Sequence, residues 1–457
     1  MNILAPAERV SEEQLLAFVR SQRWFGARGT DVASLRVVDR IPLREESPLL
    51  VDTLAEVRYG SGMHDLYQLI VGVRPDEELV GDVIDGGEGW TAYEAAAEPA
   101  FARELIHLMR SGSSVAAGEA TLEFSSVGTI PVEAVSLENV RPIGLEQTNS
   151  SVVLDGELIV KVYRRLEAGM NPEVELLRFF AAHDFTRVPR LWGWWSYTGP
   201  ALGASLGVAQ QFVPGAVDGW TLALAEMPSA PDAFLARVSR LGTVLGEMHA
   251  VLASEPGDPA FKPEEASQES LALLTATVDD EIDEVFQSLP DTAAVEPIAG
   301  RGDAVRELLR GLSSVGSVGM RIRHHGDLHL GQALFADGDW LIIDFEGEPA
   351  RSLPERRRKR SPLRDVAGML RSFTYSVQVA GVEDPSVEQR VRERFLEAYL
   401  DAVREAAILP GPEAMARLLQ IFELEKAVYE LRYELAHRPD WVPVPVAGIV
   451  RLLEEAE

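Results

Sequence analysis

The apolar positions change period along the chain. Ser11-Glu12-Glu13-Gln14 reads as a capping box, and Leu15, Leu16, Phe18 and Val19 follow at helical spacing. From Val32 to Val73 the pattern alternates, and Gly60-Ser61-Gly62 separates Leu49–Tyr59 from Tyr67–Val73. That stretch predicts a small antiparallel sheet. Ala92 to Arg110 predicts a helix, and Ser111-Gly112-Ser113-Ser114 with Ala116-Ala117-Gly118 predicts a linker. Val152-Val153-Leu154, the Asp155-Gly156 turn and Leu158–Tyr163 predict a hairpin. Asn171-Pro172-Glu173 opens a helix, with Asn as N-cap and Pro in the first position. Leu191–Tyr197 and Gly207–Val213 read as extended, and Pro214-Gly215 ends the second.

Beyond that break the period becomes helical. Pro231–Ala253 carries Phe234, Leu235, Val238, Leu241, Leu245, Met248 and Leu252 on one side, with His249 among them as a core histidine. Further helices are predicted near 271–288, 303–312 and 413–437. Between them, the apolar run Trp340 to Ile343 predicts one buried strand. The switch from period 2 to period 3.6 makes Gln211–Gly215 a connector between two lobes.

Composition narrows the class. The chain has 457 residues, enough for two or three domains, with 46% hydrophobic and 25% charged residues, as in ordinary globular proteins. A net charge of −29 opposes binding to nucleic acid and to anionic membrane surfaces. There is no cysteine, hence no disulfide framework and no thiolate metal site. No apolar stretch is long enough to span a bilayer, and Met1–Glu8 lacks signal-peptide character, so the expected location is cytoplasmic.

The densest chemistry lies in Arg323-His324-His325-Gly326-Asp327-Leu328-His329-Leu330-Gly331-Gln332, followed by Leu341-Ile342-Ile343-Asp344-Phe345-Glu346. Asp327 is a loop carboxylate suited to accept a proton from an attacking hydroxyl. Gln332 offers a neutral oxygen, and Asp344 ends a buried strand. Together these two suit Mg²⁺, which prefers oxygen ligands and shares its shell with substrate phosphates. Base, neutral ligand, strand and Asp-Phe in this order match kinase catalytic and metal loops, with Gln332 in the usual Asn place and Glu346 in the usual Gly place. The plain alternative is a polar hairpin with loop carboxylates.

Upstream, Lys161 stands mid-strand in an apolar run, where it needs an anionic partner such as ATP phosphates. Its plain alternative is an edge-strand lysine. Glu175, one turn into the next helix, is the expected ion-pair partner of Lys161, and Glu173 is assigned to the helix dipole. Thr148, Asn149 and Ser150, in the polar run that begins at Glu146-Gln147, would cover the phosphates with hydroxyls and backbone N–H groups. Backbone groups of Gln211, Phe212 and Val213 would meet adenine. On the last long helix, Tyr429/Tyr433 and Glu430/Glu434 repeat at i, i+4, with Trp441 beyond, a face suited to stacking and hydrogen-bonding a sugar or simply to packing. Asp365 either buttresses the catalytic loop or starts a helix. The run Glu355-Arg356-Arg357-Arg358-Lys359-Arg360 reads as a solvated loop.

These stretches, with Gln22-Arg23-Trp24-Phe25, Glu146–Ser150, Asn171-Pro172, Asp344–Pro349, Ser361–Phe373 and Lys426–Pro445, resemble the actinobacterial maltokinases and the maltokinase-like part of trehalose synthase fusions. The resemblance spans nearly the whole chain. It implies an α+β, bilobal protein-kinase-like fold of the aminoglycoside-phosphotransferase type, with an N-terminal antiparallel-sheet cap and a mainly helical C-lobe. The implied limits are a cap at 1–90, an intermediate segment at 91–135, an N-lobe at 136–213 and a C-lobe at 214–457. It implies ATP and Mg²⁺ as cofactors, and phosphorylation of maltose to maltose 1-phosphate for α-glucan synthesis, with a trehalose synthase as functional partner. Asp327 would be the base, Gln332 and Asp344 the metal ligands and Lys161 the phosphate lysine. Asp327, His329, Tyr429, Glu430, Tyr433, Glu434 and Trp441 would bind the acceptor. Glucosamine or aminoglycoside kinases share the motif, and a nucleotide-binding pseudokinase is the alternative of another class.

Overall fold

A computed structural model describes residues 7, 9–26, 31–75, 82–132, 137, 139–143, 148–200, 202–255, 257–314, 318–382, 384 and 386–455. Glu146 and Gln147 of the polar run, and the expected boundary at 135/136, lie outside the described residues. Two compact units emerge. The first comprises 1–182 and 189–214, the second 183–188 and 215–457.

The first unit opens with the Glu12–Ser21 helix, whose capping box is formed as expected: Gln14 N–H donates to Ser11 Oγ (3.3 Å) and Ser11 N–H to Gln14 Oε1 (3.0 Å). It continues into β1 (Val32–Arg44), β2 (Leu49–Tyr59), β3 (His64–Arg74), β4 (Val83–Gly87) and β5 (Trp90–Glu94). These pair antiparallel in the order β1-β2-β3-β5-β4. Phe18, Val19, Trp24 and Phe25 bury themselves against Tyr67, Leu69 and Val57 on one face of this sheet. Ala92 to Glu94, expected as helix, is strand instead. The alternating Trp90-Thr91-Ala92-Tyr93-Glu94 finds a free edge on β3, and cross-strand pairing decides over local spacing. The helix starts later, at Pro99–Ser111, capped by Glu98.

The second sheet of this unit contains β6 (Ser114–Ala117), β7 (Ala120–Ser126), β8 (Val140–Ile143), β9 (Asn149–Leu154), β10 (Leu158–Tyr163), β12 (Leu191–Thr198) and β13 (Gly203–Gln211). Its order is β6-β7-β12-β13-β10-β9-β8. The expected linker is therefore a hairpin, β6–β7, turning at Gly118 with φ +63°. Asn149, Ser150 and Ser151 are not loop but the start of β9, because the β9–β10 register pairs them with Tyr163, Val162 and Lys161. A short β11 (Arg165–Leu166) leaves this sheet and pairs with β3 of the first.

The second unit is mainly helical. Among the described residues it has two small sheets: β14 (Val217–Asp218), β17 (Ala333–Ala336) and β18 (Asp339–Ile342) in that order, and β15 (Glu264–Glu265) with β16 (Met320–Arg321). The Pro231–Leu252 helix lies against the Ser386–Val403 helix at very short range. A Cβ at Gly242 would sit 2.3 Å from Phe395 O, and one at Gly246 would sit 2.7 Å from Ala402 Cβ. No described helix is long and apolar enough to cross a membrane.

One buried pair in the cap makes a pH prediction. Asp52 and Gln68 face each other across β2 and β3, both fully buried, and Gln68 Nε2 donates to Asp52 Oδ2 (2.8 Å). Asp52 Oδ1 and Gln68 Oε1 have no partner in the protein. A proton on Asp52 Oδ1 would satisfy both oxygens at once. Burial pushes this carboxyl up to about 7, against the hydrogen bond from Gln68 and the more distant charge of Arg164. The folded state thus holds a proton that the unfolded chain, with a value near 3.8, releases. Stability of the cap is full below that value and falls as pH rises from about 4 toward 7. Asp52→Asn should flatten this fall, seen as a smaller drop in urea midpoint between pH 5 and pH 8 than the wild type shows.

Candidate active site

In the helical unit one buried carboxylate organises the catalytic loop. Asp365, near the start of the Leu363–Val379 helix, accepts from His325 N–H (2.7 Å), Gly326 N–H (3.0 Å) and His249 Nε2 (3.1 Å). His249 in turn meets Tyr399 Oη at 3.1 Å through Nδ1. Burial alone would raise the Asp365 carboxyl, but the imidazoles of His324 and His249 outweigh it and hold it well below the usual carboxylate range. His249 is thus a satisfied core histidine that also acts on the loop through Asp365. The same helix presents Gly368 and Ser372 one and two turns on, on the same face. A Cβ at Gly368 would lie 2.5 Å from Leu328 O, and Ser372 Oγ accepts from Leu330 N–H (3.0 Å).

His325 ties the loop to the strand end that follows it. Its Nε2 donates to Ile343 O (2.8 Å), which leaves Nδ1 to accept from Asp327 N–H (3.3 Å). Its ring packs on Phe345 at 4.9 Å. Ile343 N–H donates to Gln332 O (2.9 Å), and Gln332 Nε2 lies 2.8 Å from Asp344 Oδ2. The two expected metal ligands therefore converge. Asp344 sits at φ +64°, a left-handed conformation that costs a non-glycine residue about 1–2 kcal/mol. With the Gln332 amide turned so that Oε1 takes the place of Nε2, the two side chains would offer one charged and one neutral oxygen, a set that fits Mg²⁺.

Asp327 is half-buried and faces a cation that sequence reasoning passed over. Lys426 Nζ lies 3.3 Å from Asp327 Oδ1 and 3.5 Å from Glu348. Burial would lower the Lys426 ammonium, but the charges of Asp327, Glu348 and Glu430 hold it above its ordinary value. Its position was legible as a lysine three residues before Tyr429, whose ring it approaches at 5.4 Å. A hollow beside Asp327 is lined by Gly347, Glu348, Arg351, Glu425, Lys426 and Tyr429, among others. His329 is mostly buried, and burial pushes its imidazole down while Asp327 pulls the other way. Its Nδ1 accepts from Gly331 N–H (3.1 Å).

The remaining residues of the expected sugar face do not line this hollow. Glu430 is bound by the buried Arg371 (2.7 Å), and Glu434 by Arg438 (2.8 Å). Trp441 stacks on Tyr375 at 6.0 Å, and Tyr433 on His437 at 4.5 Å. The i, i+4 spacing set these side chains on one helix flank, but of them only Tyr429 lines the hollow beside Asp327. The basic run is not a free solvated loop either. Lys359 Nζ pairs with Glu264 (2.6 Å), Arg356 donates to Glu346 O (3.1 Å), and Arg360 faces the hollow.

In the first unit Lys161 is buried in β10 and pairs with Glu173 (3.2 Å). Glu173, assigned to the helix dipole from sequence, is thus an ion-pair partner of Lys161. Asn171 Oδ1 caps Glu173 N–H (2.8 Å), and Tyr163 Oη donates to the Glu173 carboxylate (3.0 Å), which aim that side chain at the strand. Glu175 is also buried. Asn149 Oδ1 and Ser150 Oγ accept from Arg164 N–H and Nε (3.3 and 2.8 Å), while Thr148 is exposed. At the connector, Gln211 N–H and Phe212 N–H donate to Arg190 O and Glu157 O (2.8 and 2.9 Å). Of the three residues expected to meet adenine, Val213 is the one whose N–H is not spent on these strands.

Taken separately, the second unit offers a loop carboxylate and two side chains converging at a strand end, and the first offers a strand lysine paired to a helix glutamate; these are the kinds of group that phosphoryl transfer uses. The chain belongs to the phosphotransferase enzyme family, whose description matches residues 139–418, and residues 18–97 match the maltokinase N-terminal cap domain. Its fold is accordingly the kinase-like one, with a sheet cap before it and a mainly helical C-terminal part. Among curated relatives, a glucosamine kinase of Streptacidiphilus jiangxiensis is 30% identical over 330 residues, covering 69% of this chain and 74% of its own. A glucosamine kinase of Mycolicibacterium smegmatis (strain ATCC 700084 / mc(2)155) is 28% identical over 335 residues, covering 69% and 80%. A solved glucosamine kinase in complex with glucosamine, ADP and inorganic phosphate superposes with a TM-score of 0.70 at 22% identity, over 97% of this chain and 99% of that one. A second crystal form of a glucosamine kinase gives 0.73 at 23%, with the same coverage.

The packing of Gly368 on the loop is testable. Gly368→Ala should force Leu328 and its neighbour Asp327 outward. A displacement of about 1 Å near the chemistry costs on the order of a hundredfold in rate. Turnover should fall by at least tenfold while circular dichroism stays native; full turnover in a folded variant would show that the loop has room to spare.

Proposed function

We propose that this chain transfers the γ-phosphoryl group of ATP to the anomeric hydroxyl of maltose, giving maltose 1-phosphate for α-glucan synthesis, with maltose supplied by a trehalose synthase. The observation that carries the transfer reaction is Asp327, held by the His325 and Asp365 network at the wall of a polar hollow. Asp327 accepts the proton of the acceptor hydroxyl as its oxygen attacks the γ-phosphorus. The bond to the β-phosphate oxygen breaks and ADP leaves. Lys426 holds Asp327 in place and offers a donor to the acceptor's ring hydroxyls, and Tyr429 offers a face for its C–H groups. Gln332 and Asp344 would hold Mg²⁺, which neutralises phosphate charge when bound. Lys161, positioned by Glu173, serves the nucleotide phosphates. Thr148 to Ser150 and the Gln211–Val213 backbone are the proposed remaining contacts to ATP.

Glucosamine is the second reading for the acceptor. The curated relatives carry that name, and Glu281, Glu348 and Glu425 around the hollow could take an ammonium group. Retention of Asp327, Gln332 and Asp344 speaks for turnover rather than nucleotide binding alone.

Two substitutions separate the roles. Asp327→Asn keeps a hydrogen-bond acceptor but cannot take the proton, so kcat should fall by about 10² to 10⁴-fold with little change in KM for ATP. Asp344→Asn should abolish turnover and also weaken Mg-ATP binding by calorimetry, since an amide brings no charge to the metal. The opposite pattern, with ATP binding lost in the Asp327 variant and kept in the Asp344 variant, would reverse the assignment. Formation of ADP across a panel of maltose, glucose, glucosamine and aminoglycosides decides the acceptor.

A further inference from the structure

The hollow beside Asp327 does not end at the base. It shares the wall of Glu281, Arg351, Arg360, Arg364 and Glu425 with a second hollow, whose floor is Leu271, Leu274 and Phe422. Most charges of that wall are matched within the protein. Arg351 is bound to Glu348, and Arg364 to Glu425 (2.9 Å). Two are not. Among the described residues neither the Arg360 guanidinium nor the Glu281 carboxylate has a hydrogen bond or ion pair inside the protein.

Both groups nevertheless lose water. Burial lowers Arg360 to about 10, and the neighbouring charges of Arg364 and Arg351 add to the fall. Burial raises Glu281, and Glu425 adds to the rise. Each is thus desolvated without a protein partner, a costly state unless a ligand supplies one. The backbone beneath Arg360 is fixed by a two-way bridge to Ile322, with N–H to O distances of 3.0 and 2.9 Å, so the side chain is carried by a rigid mount.

The opposite signs decide what fits. A ligand anion would satisfy Arg360, with Arg351, Arg358, Lys359 and Arg364 also on these walls, but would leave the Glu281 carboxylate facing like charge with no donor. An ammonium group would satisfy Glu281 and leave Arg360 without an acceptor. A neutral polyol satisfies both, because each hydroxyl donates to a carboxylate and accepts from a guanidinium. Leu271, Leu274 and Phe422 add an apolar floor for the C–H face of a ring.

We infer that Glu281 and Arg360 form a second acceptor subsite, which takes the uncharged, non-phosphorylated ring of a disaccharide whose first ring lies at Asp327. The inference rests on the reading of the chain as a sugar kinase and makes the length and neutrality of the acceptor properties of this wall.

The test compares maltose with glucose and glucosamine in wild type, Glu281→Gln and Arg360→Met, with Arg360→Lys as a milder second variant. Loss of a hydrogen bond to a charged group should raise KM for maltose about tenfold or more, toward the value for glucose, with kcat nearly constant. Saturation-transfer NMR of maltose on the full chain without nucleotide should show a weaker signal from the second ring in both variants. An equal rise for maltose and glucose, an unchanged KM for maltose, or a wild type that turns over monosaccharides and not maltose would overturn the subsite. If no sugar is turned over, the kinase reading fails, and the NMR arm decides the subsite alone: a second-ring signal present in the wild type and weakened in the variants would uphold it, and no maltose signal in the wild type would overturn it.

Discussion

A single carboxylate, Asp365, carries the geometry of the catalytic loop. It is almost fully buried and gathers two loop amides and an imidazole. A buried charge of this kind is tolerated only when donors surround it, so the loop cannot relax without stranding that charge. The dependence runs further out. His249 reaches Tyr399 because the two helices that bear them approach closely enough to require Gly242 and Gly246. Spacing between those helices therefore sets the height of Asp365 and, through His325, the position of Asp327. Asp327 is half-buried, and its coordinates are decided in the core.

Much of this was legible in the sequence. The change of period at Pro214-Gly215 coincides with the limit between the two compact units, and the side chains of Gln332 and Asp344, singled out from their order in the chain, meet in the fold. What escaped was whatever depends on rotation about an element or on the partner it finds. Glu173 and Glu175 stand two residues apart on one helix, and only the capping by Asn171 and the hydroxyl of Tyr163 show how Glu173 is turned to Lys161. Ala92–Glu94 looks like the start of a helix until the edge of β3 offers it a ladder. Lys426 was hidden because its two carboxylates, Asp327 and Glu348, lie 99 and 78 residues away in the chain.

The charged residues of the helical unit show a division of labour. Arg371–Glu430, Arg392–Glu423 and Arg364–Glu425 are matched pairs that fasten the long Pro412–His437 helix to its neighbours. Lys426 lies on the same helix but pairs with Asp327 of the loop instead. A helix whose packing is partly ionic can present one cation at a cavity without losing its seat, while near its end Tyr433 stacks on His437 and, just beyond it, Trp441 stacks on Tyr375.

One strand of the cap sheet comes from further along the chain. β11 follows directly on the strand that bears Lys161 and pairs with β3, while Arg164 between them is buried against Glu94, Gln68 O and the Trp24 ring. The two sheets are thus stitched through one continuous run of backbone. A fragment cut after residue 97 would bare the β3 edge, an open template for aggregation, and would leave Glu94 without its guanidinium. The complementary fragment would strand Arg164 beside the start of β9. The border at which the chain can be divided does not coincide with the border at which its sequence families meet.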